Sequence, residues 1–269
     1  MKLNFESKAM RVPFRQAILF CALALIAASI PAALAQERIG RPIYPAYQGF
    51  LENPDGSITM VFQYFSHGRD PVTIEPGPDN GFNGAEDRNQ PTTFLPGNHE
   101  FVCVMIVNNA EEATQLKWTV AFPVEANLTT QDPLNPEYRL VERNQKEAMR
   151  NLDLATSPRH VCINKPPRVV ADSRNRFGRR EEGETPAREA KIGEELALRG
   201  FVQDEGLPRG STLLISWKKM SGPGDVVFTE PHSAQTAATF SAEGEYELEL
   251  HATDGELENS GRVKVKVGA

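Results

Sequence analysis

The oxygen donors of one segment are the residues here with the most direct capacity for chemistry. Residues 75–91 read Glu-Pro-Gly-Pro-Asp-Asn-Gly-Phe-Asn-Gly-Ala-Glu-Asp-Arg-Asn-Gln-Pro, a long polar loop of the kind that carries binding residues when a rigid scaffold holds it. Calcium takes about six to eight oxygen ligands and suits such loops. Against the EF-hand spacing counted from Asp79, Asn83 and Gly84 fall in place, but Gly81 occupies a ligand position and Gln90 the bidentate one, so that template fails. A looser calcium set of Asp79, Asn83, Glu86 and Asp87 stands as the metal candidate, beside the reading of an ordinary turn-rich loop. Phe82, in the middle of the loop, is either an exposed contact residue or the pin that holds the loop to its scaffold.

The remaining constellations do not build a reaction centre. His99-Glu100-Phe101-Val102-Cys103 follows the zinc-protease pattern until its last residue, where cysteine replaces the second histidine, and it lies in a strand-like run. No nucleophile elbow, phosphate-binding loop, C-x-x-C or dinucleotide fingerprint is present. The five histidines are scattered. A folded chain could still bring His67 or His160 near a serine, or pair carboxylates, but no enzyme activity and no other cofactor are expected.

Charge and cysteine usage narrow the setting. Lys2, Lys8, Arg11 and Arg15 precede an apolar run from Ala17 to Ala35 that ends Ala33-Leu34-Ala35 before Gln36, the layout of a secretory signal over residues 1–35. An uncleaved membrane anchor is the alternative. With cleavage, no other segment is apolar and long enough to span a bilayer, and a secreted or periplasmic location is expected. Residues 1–35 carry four bases and one acid, so the remainder carries −10 of charge against −7 for the whole chain. That balance opposes nucleic-acid binding, which needs a basic face. Cys103 and Cys162 remain as an even pair, expected as a disulfide in an oxidising compartment, with buried free thiols as the alternative.

Period-two apolar spacing on both sides of a charged break dictates strands. Ile58, Met60, Phe62 and Tyr64 share one face, after the hairpin signal Asn53-Pro54-Asp55-Gly56. Phe101 to Val107 is apolar on both faces, as a central strand would be, and Leu116, Trp118, Val120 and Phe122 alternate with polar or small residues. A short helix is expected over 142–152. Farther on, Leu196, Leu198 and Val202 mark one strand, and Leu213, Ile215 and Trp217 another, with Trp217 expected in the core. Glu245, Glu247 and Glu249 on one strand face Arg262, Lys264 and Lys266 on the next if a loop around Asp254 to Gly261 joins them. The chain is therefore expected to be all-β, two antiparallel β-sandwich domains in tandem. Residues 36–163 form the first, residues 164–192, rich in Pro, Arg and Glu, a linker or long exposed loop, and residues 193–269 the second.

The second domain carries a resemblance. Pro166-Pro167-Arg168-Val169-Val170, Gly200 through Pro208, Ser216-Trp217, Ser221-Gly222-Pro223-Gly224, Ala238-Thr239-Phe240, Gly244-Glu245-Tyr246 and Thr253 through Leu257 fall in the order of PKD-like domains. The resemblance begins near residue 166 and implies an immunoglobulin-like sandwich used as a spacer or for contact with proteins or carbohydrates, without catalytic residues. Ala171 to Ala190 depart from the pattern, where such domains usually keep a short turn, which leaves the first strand open.

Three function classes follow, each with its own signature. A secreted or periplasmic binding or interaction module would use loops and sheet edges on a protein partner. A carbohydrate-binding or enzyme-accessory protein would present exposed aromatics, from Tyr44, Tyr47, Phe50 or Phe82; for Tyr44 and Tyr47 the alternative is an arm packed on the sandwich. A secreted hydrolase would need a deep polar pocket.

Overall fold

A computed structural model describes residues 40–123, 125–127, 132–172 and 187–269. The expected signal segment lies outside them. No helix among the described residues is long and apolar enough to cross a membrane.

The first sandwich contains strands β1 (Ile43–Glu52), β2 (Ile58–Ser66), β3 (Val72–Thr73), β4 (Asn80–Phe82), β5 (Thr93–Phe94), β6 (Gly97–Val107), β7 (Trp118–Ala121) and β8 (Glu125–Asn127), with helices α1 (Ala110–Gln115) and α2 (Glu142–Ala148). One sheet runs β1-β2-β6 and the facing one β4-β7-β8, with β3-β5 as a small ribbon. The expected hairpin joins β1 to β2, Glu52 pairing with Ile58 across the Asn-Pro-Asp-Gly turn. Asn53 is buried in that turn, and its side-chain amide donates to the Ser57 and Thr59 hydroxyls. Ile58, Met60, Phe62 and Tyr64 fill the core with Trp118 and Val120 from the opposite sheet. Cys103 on β6 is disulfide-bonded to Cys162, closing a separation of 59 residues.

The second sandwich contains β9 (Arg168–Val170), β10 (Arg188–Lys191), β11 (Glu195–Arg199), β12 (Phe201–Gln203), β13 (Leu214–Ser221), β14 (Val226–Phe228), β15 (Gln235–Phe240), β16 (Gly244–Thr253) and β17 (Glu258–Gly268). Its sheets are β10-β17-β16-β13 and β11-β15-β14, with the ribbon β12-β9 at one end. Trp217, 4 % exposed, lies in a core with Phe240, Tyr246, Leu248 and Leu250. The charge rows meet in the expected register, Glu245 opposite Lys266, Glu247 opposite Lys264 and Glu249 opposite Arg262. Arg262 reaches both Glu249 and Glu247, at 3.0 and 3.4 Å. The connection between these strands is tighter than expected: Asp254 accepts the backbone N–H groups of Glu256 and Leu257, and β17 begins at Glu258.

Two differences from the sequence reading concern the span 164–192. Both of its described ends are strand, because Val169, Ala171 and Ala190 pack on the second core; residues 173–186 lie outside the described set. The pairing of β10 with β17 is parallel, whereas the other pairings of named strands among the described residues are antiparallel. Arg188 and Asp172 form an ion pair of 2.7 Å that joins the two ends of the undescribed stretch.

Candidate functional site: the seam between the sandwiches

The polar loop 75–91 is organised from within. Asn80, fully buried, donates to the carbonyls of Ile74 and Pro91 and accepts from the Trp118 indole at 3.0 Å. Gln90, also fully buried, donates to the Asn80 carbonyl and accepts from the Arg88 backbone. These two amides give a non-repetitive segment the hydrogen bonds that its buried backbone requires.

The four calcium candidates are thereby put to separate uses. The Asp79 carbonyl accepts from Ala121, and the Asn83 side chain accepts from Lys117 while its backbone sits at φ 49°. Glu86 receives a two-pronged contact from Arg88, at 2.7 and 2.9 Å. Asp87 receives the guanidinium of Arg209 from the second sandwich. No group of three or more His, Cys, Asp or Glu residues among those described is placed to hold a metal ion. Of the four candidates, Glu86 and Asp87 are each paired with an arginine.

The candidate contact aromatics divide between core and surface. Phe82, Phe50 and Tyr47 are 0, 1 and 8 % exposed and belong to the first core, where Phe82 stacks on Trp118. Phe82 thus pins its loop. Tyr44 alone stays at the surface, 46 % exposed, opposite Phe65, which is 40 % exposed, on the neighbouring strand. The ring of His67 meets both edge-on, at 5.6 and 4.6 Å.

What the polar loop does hold is the other sandwich. Residues 204–209, Asp-Glu-Gly-Leu-Pro-Arg, leave β12 and enter the first domain. Leu207 is fully buried and packs in the first domain's core, not its own. The approach depends on Gly206, at φ +82°, where a side chain would be strained; the Asp204 carboxylate accepts its N–H at 2.8 Å and closes the turn. Arg209 then forks onto Asp87, at 2.5 and 2.9 Å, and donates through Nε to the Gln90 carbonyl. Hydrogen bonding to Arg209 holds the Asp87 carboxyl below its ordinary range.

Ionisable groups accumulate behind this plug. Lys165 is 2 % exposed; its Nζ donates to the carbonyls of Glu147 and Ala148 at the end of α2 and lies 5.9 Å over the Phe101 ring. Its backbone N–H donates to the Glu205 carboxylate. Burial lowers the Lys165 amine to about 8, against the opposing pull of Glu147. Burial likewise raises Glu205 to about 8, with Asp204 adding repulsion, and raises Asp204 to about 6. Phe101 itself adopts φ 59°, costly for an aromatic residue, at the irregularity where β6 shifts register against β2.

Beside the plug the two sandwiches enclose a cleft of about 290 Å³. The first contributes Tyr64, Leu95 and His99, the second Phe201, Leu213 and the pair Asp204–Glu205. Tyr64 and His99 stack at 4.8 Å. The His99 Nε2 lies 3.1 Å from the Pro96 carbonyl, which can only accept, so this nitrogen carries the proton. Burial lowers the His99 pKa and favours the neutral ring.

Residues 189–267 match the family model described as "K319L-like, PKD domain". Over this span the second sandwich resembles a PKD domain. The matched span runs from β10 to β17 and leaves β9 outside. Solved structures similar to this chain include the PKD domain of human KIAA0319, with 19 % identity over 39 % of this chain and 82 % of that one, at a TM-score of 0.26. The PKD domain of the KIAA 1837 protein shares 19 % identity over 32 % of this chain and 90 % of its own, at 0.23. Drosophila N-cadherin EC1-3 shares 12 % over 80 % and 78 %, at 0.27. The plug of residues 204–209 lies within the matched span.

Proposed function

We propose that this chain is a secreted or periplasmic binding module without catalytic activity, in which the PKD domain and the first sandwich act together on a protein partner. The observation that carries this reading is the seam. A PKD loop is inserted in the first core, and a mixed apolar and acidic cleft opens beside it, in the kind of position between domains where ligand sites concentrate. The disulfide and the signal-like N-terminus support an oxidising compartment. The test combines cell fractionation with a photo-crosslinker at Leu95, on the cleft rim. The reading expects the protein outside the cytosol and a discrete adduct that disappears when Ser211→Trp fills the cleft. A cytosolic protein, or an adduct indifferent to Ser211→Trp, overturns it.

Tyr44, Phe65 and His67 support a second reading, carbohydrate binding, because exposed rings on adjacent strands offer a stacking surface for sugar C–H faces. A polysaccharide panel tests it: this reading requires a glycan that raises the melting temperature of the native protein but not of Tyr44→Ala.

A further inference from the structure

The cleft at the seam has an unbalanced lining. Two carboxylates, Asp204 and Glu205, line it, and among the described residues no lysine or arginine does. One oxygen of Asp204 accepts from Gly206; the other finds no hydrogen-bond partner among the described residues. Asp254, 1 % exposed and also with an unpartnered oxygen, adds further negative charge near Asp204. The cations near this group, Lys165, Arg150 and Arg168, line a second, small pocket that Asp204 and Glu205 also border, where the Glu205 carboxylate accepts the Lys165 backbone N–H; none of the three lines the cleft. The rest of the lining combines apolar Leu95, 43 % exposed, Phe201, Val202 and Leu213 with neutral polar side chains and the stacked Tyr64–His99 pair. Burial lowers the His99 pKa and so disfavours a positive charge on its ring.

We propose that this cleft binds an ammonium or guanidinium group carried on an aliphatic stem, with the cation at Asp204 and Glu205 and the stem between Leu95, Phe201 and Leu213. The inference rests on the reading of the chain as a binding module and names the chemistry that the module recognises. Two features fit this ligand. The volume is at the lower end for ligand pockets, suited to a single side chain or a short amine. The chemistry is that of a snorkelling side chain, an apolar stem ending in a charge. A bound cation also favours the ionised carboxylates, so binding releases protons and strengthens as the pH rises from 6 to 8.5.

Calorimetric titration of residues 36–269 with n-hexylammonium tests the proposal, with n-hexanol and hexanoate as isosteric neutral and anionic controls. The amine is expected to bind at least tenfold more tightly than either control, and more tightly at pH 8.5 than at pH 6. Asp204→Asn and Glu205→Gln, which keep size and shape, should each weaken the amine about tenfold. Phe201→Ala should weaken it through the stem alone, leaving its pH dependence intact. A capped tripeptide Gly-Lys-Gly and free 1,6-diaminohexane separate the sources: tighter peptide binding assigns the cleft to a partner's lysine, tighter diamine binding to a small polyamine. Equal binding of hexanol and hexylammonium, or undiminished binding by both cooperatively folded acid variants, overturns the proposal. Loss of the Leu95 adduct in Ser211→Trp alongside absent amine binding refutes the ligand class only. Persistence of that adduct refutes the module reading itself.

Discussion

Leu207→Ala probes the docking of the two sandwiches most sharply, because the residue belongs to one domain's chain and the other domain's core. The side chain is fully buried among residues of the first sandwich, so its truncation removes both transfer free energy and packing. Leucine-to-alanine changes in such positions cost about 2–5 kcal/mol, the lower figures where the surroundings can collapse. A loop can retract more easily than a strand, which places the expectation at about 3 kcal/mol. For a folded unit of this size that is a fall of roughly 6–12 °C in melting temperature. The loss should fall on the coupling between the sandwiches. Urea denaturation followed by Trp118 and Trp217 fluorescence should show one transition in the native protein and two separated transitions in the variant. Leu214→Ala, at a site 60 % exposed on β13, is the control and should change stability by under about 0.5 kcal/mol. A Leu207→Ala protein as stable as this control, with a single unshifted transition, would refute insertion of the loop.

Four further outcomes are expected. Replacing Cys103 and Cys162 with serine should lower stability by about 4 kcal/mol from the loop-closure entropy of a 59-residue separation, measured against the oxidised protein in urea. Arg209→Ala should return the Asp87 carboxyl upward toward the ordinary carboxylate range, read by NMR titration, while costing at most about 1 kcal/mol because Asp87 is half exposed. For pH, folded Asp204 and Glu205 hold protons up to about 6 and 8, against about 4 when unfolded, so their contribution to stability falls as pH rises from about 4 to 8. Lys165 loses its proton near 8 when folded and near 10 when unfolded, so stability recovers above 8; Glu205→Gln should flatten the descending limb in urea melts at successive pH values. Calcium and chelator should leave the melting temperature unchanged, since Arg88 and Arg209 occupy Glu86 and Asp87; a calcium-dependent rise would restore the loop as a metal site.

The elements were legible in the sequence where a single period carried the information. Alternation placed the core faces of β2, β16 and β17, and opposite charges on adjacent strands fixed the β16–β17 register before any coordinates. The Asp-Gly turn and the cysteine pair were equally local or arithmetical signals. The seam was not legible, for a physical reason. Leu207 lies in a turn-like run of polar residues, and the core that it joins is built from residues of the other sandwich. Asn80, Gln90 and Lys165 are ordinary surface types whose burial is made tolerable only by hydrogen bonds from tertiary neighbours. Asp87 illustrates the ambiguity well: an acidic residue in an oxygen-rich loop fits a cation site and an arginine clamp equally, and its ion pair with Arg209 is made with a residue 122 positions away. The parallel strand β10 was missed because four residues between charged neighbours carry too little periodicity to register.

The measurement that tests the account most directly is backbone ¹⁵N relaxation across residues 40–269. Docking through Leu207 and the Arg209–Asp87 fork predicts one rotational correlation time shared by Trp118 and Trp217 and by the strands around them. Two distinct correlation times, with the second sandwich tumbling on its own, would contradict it.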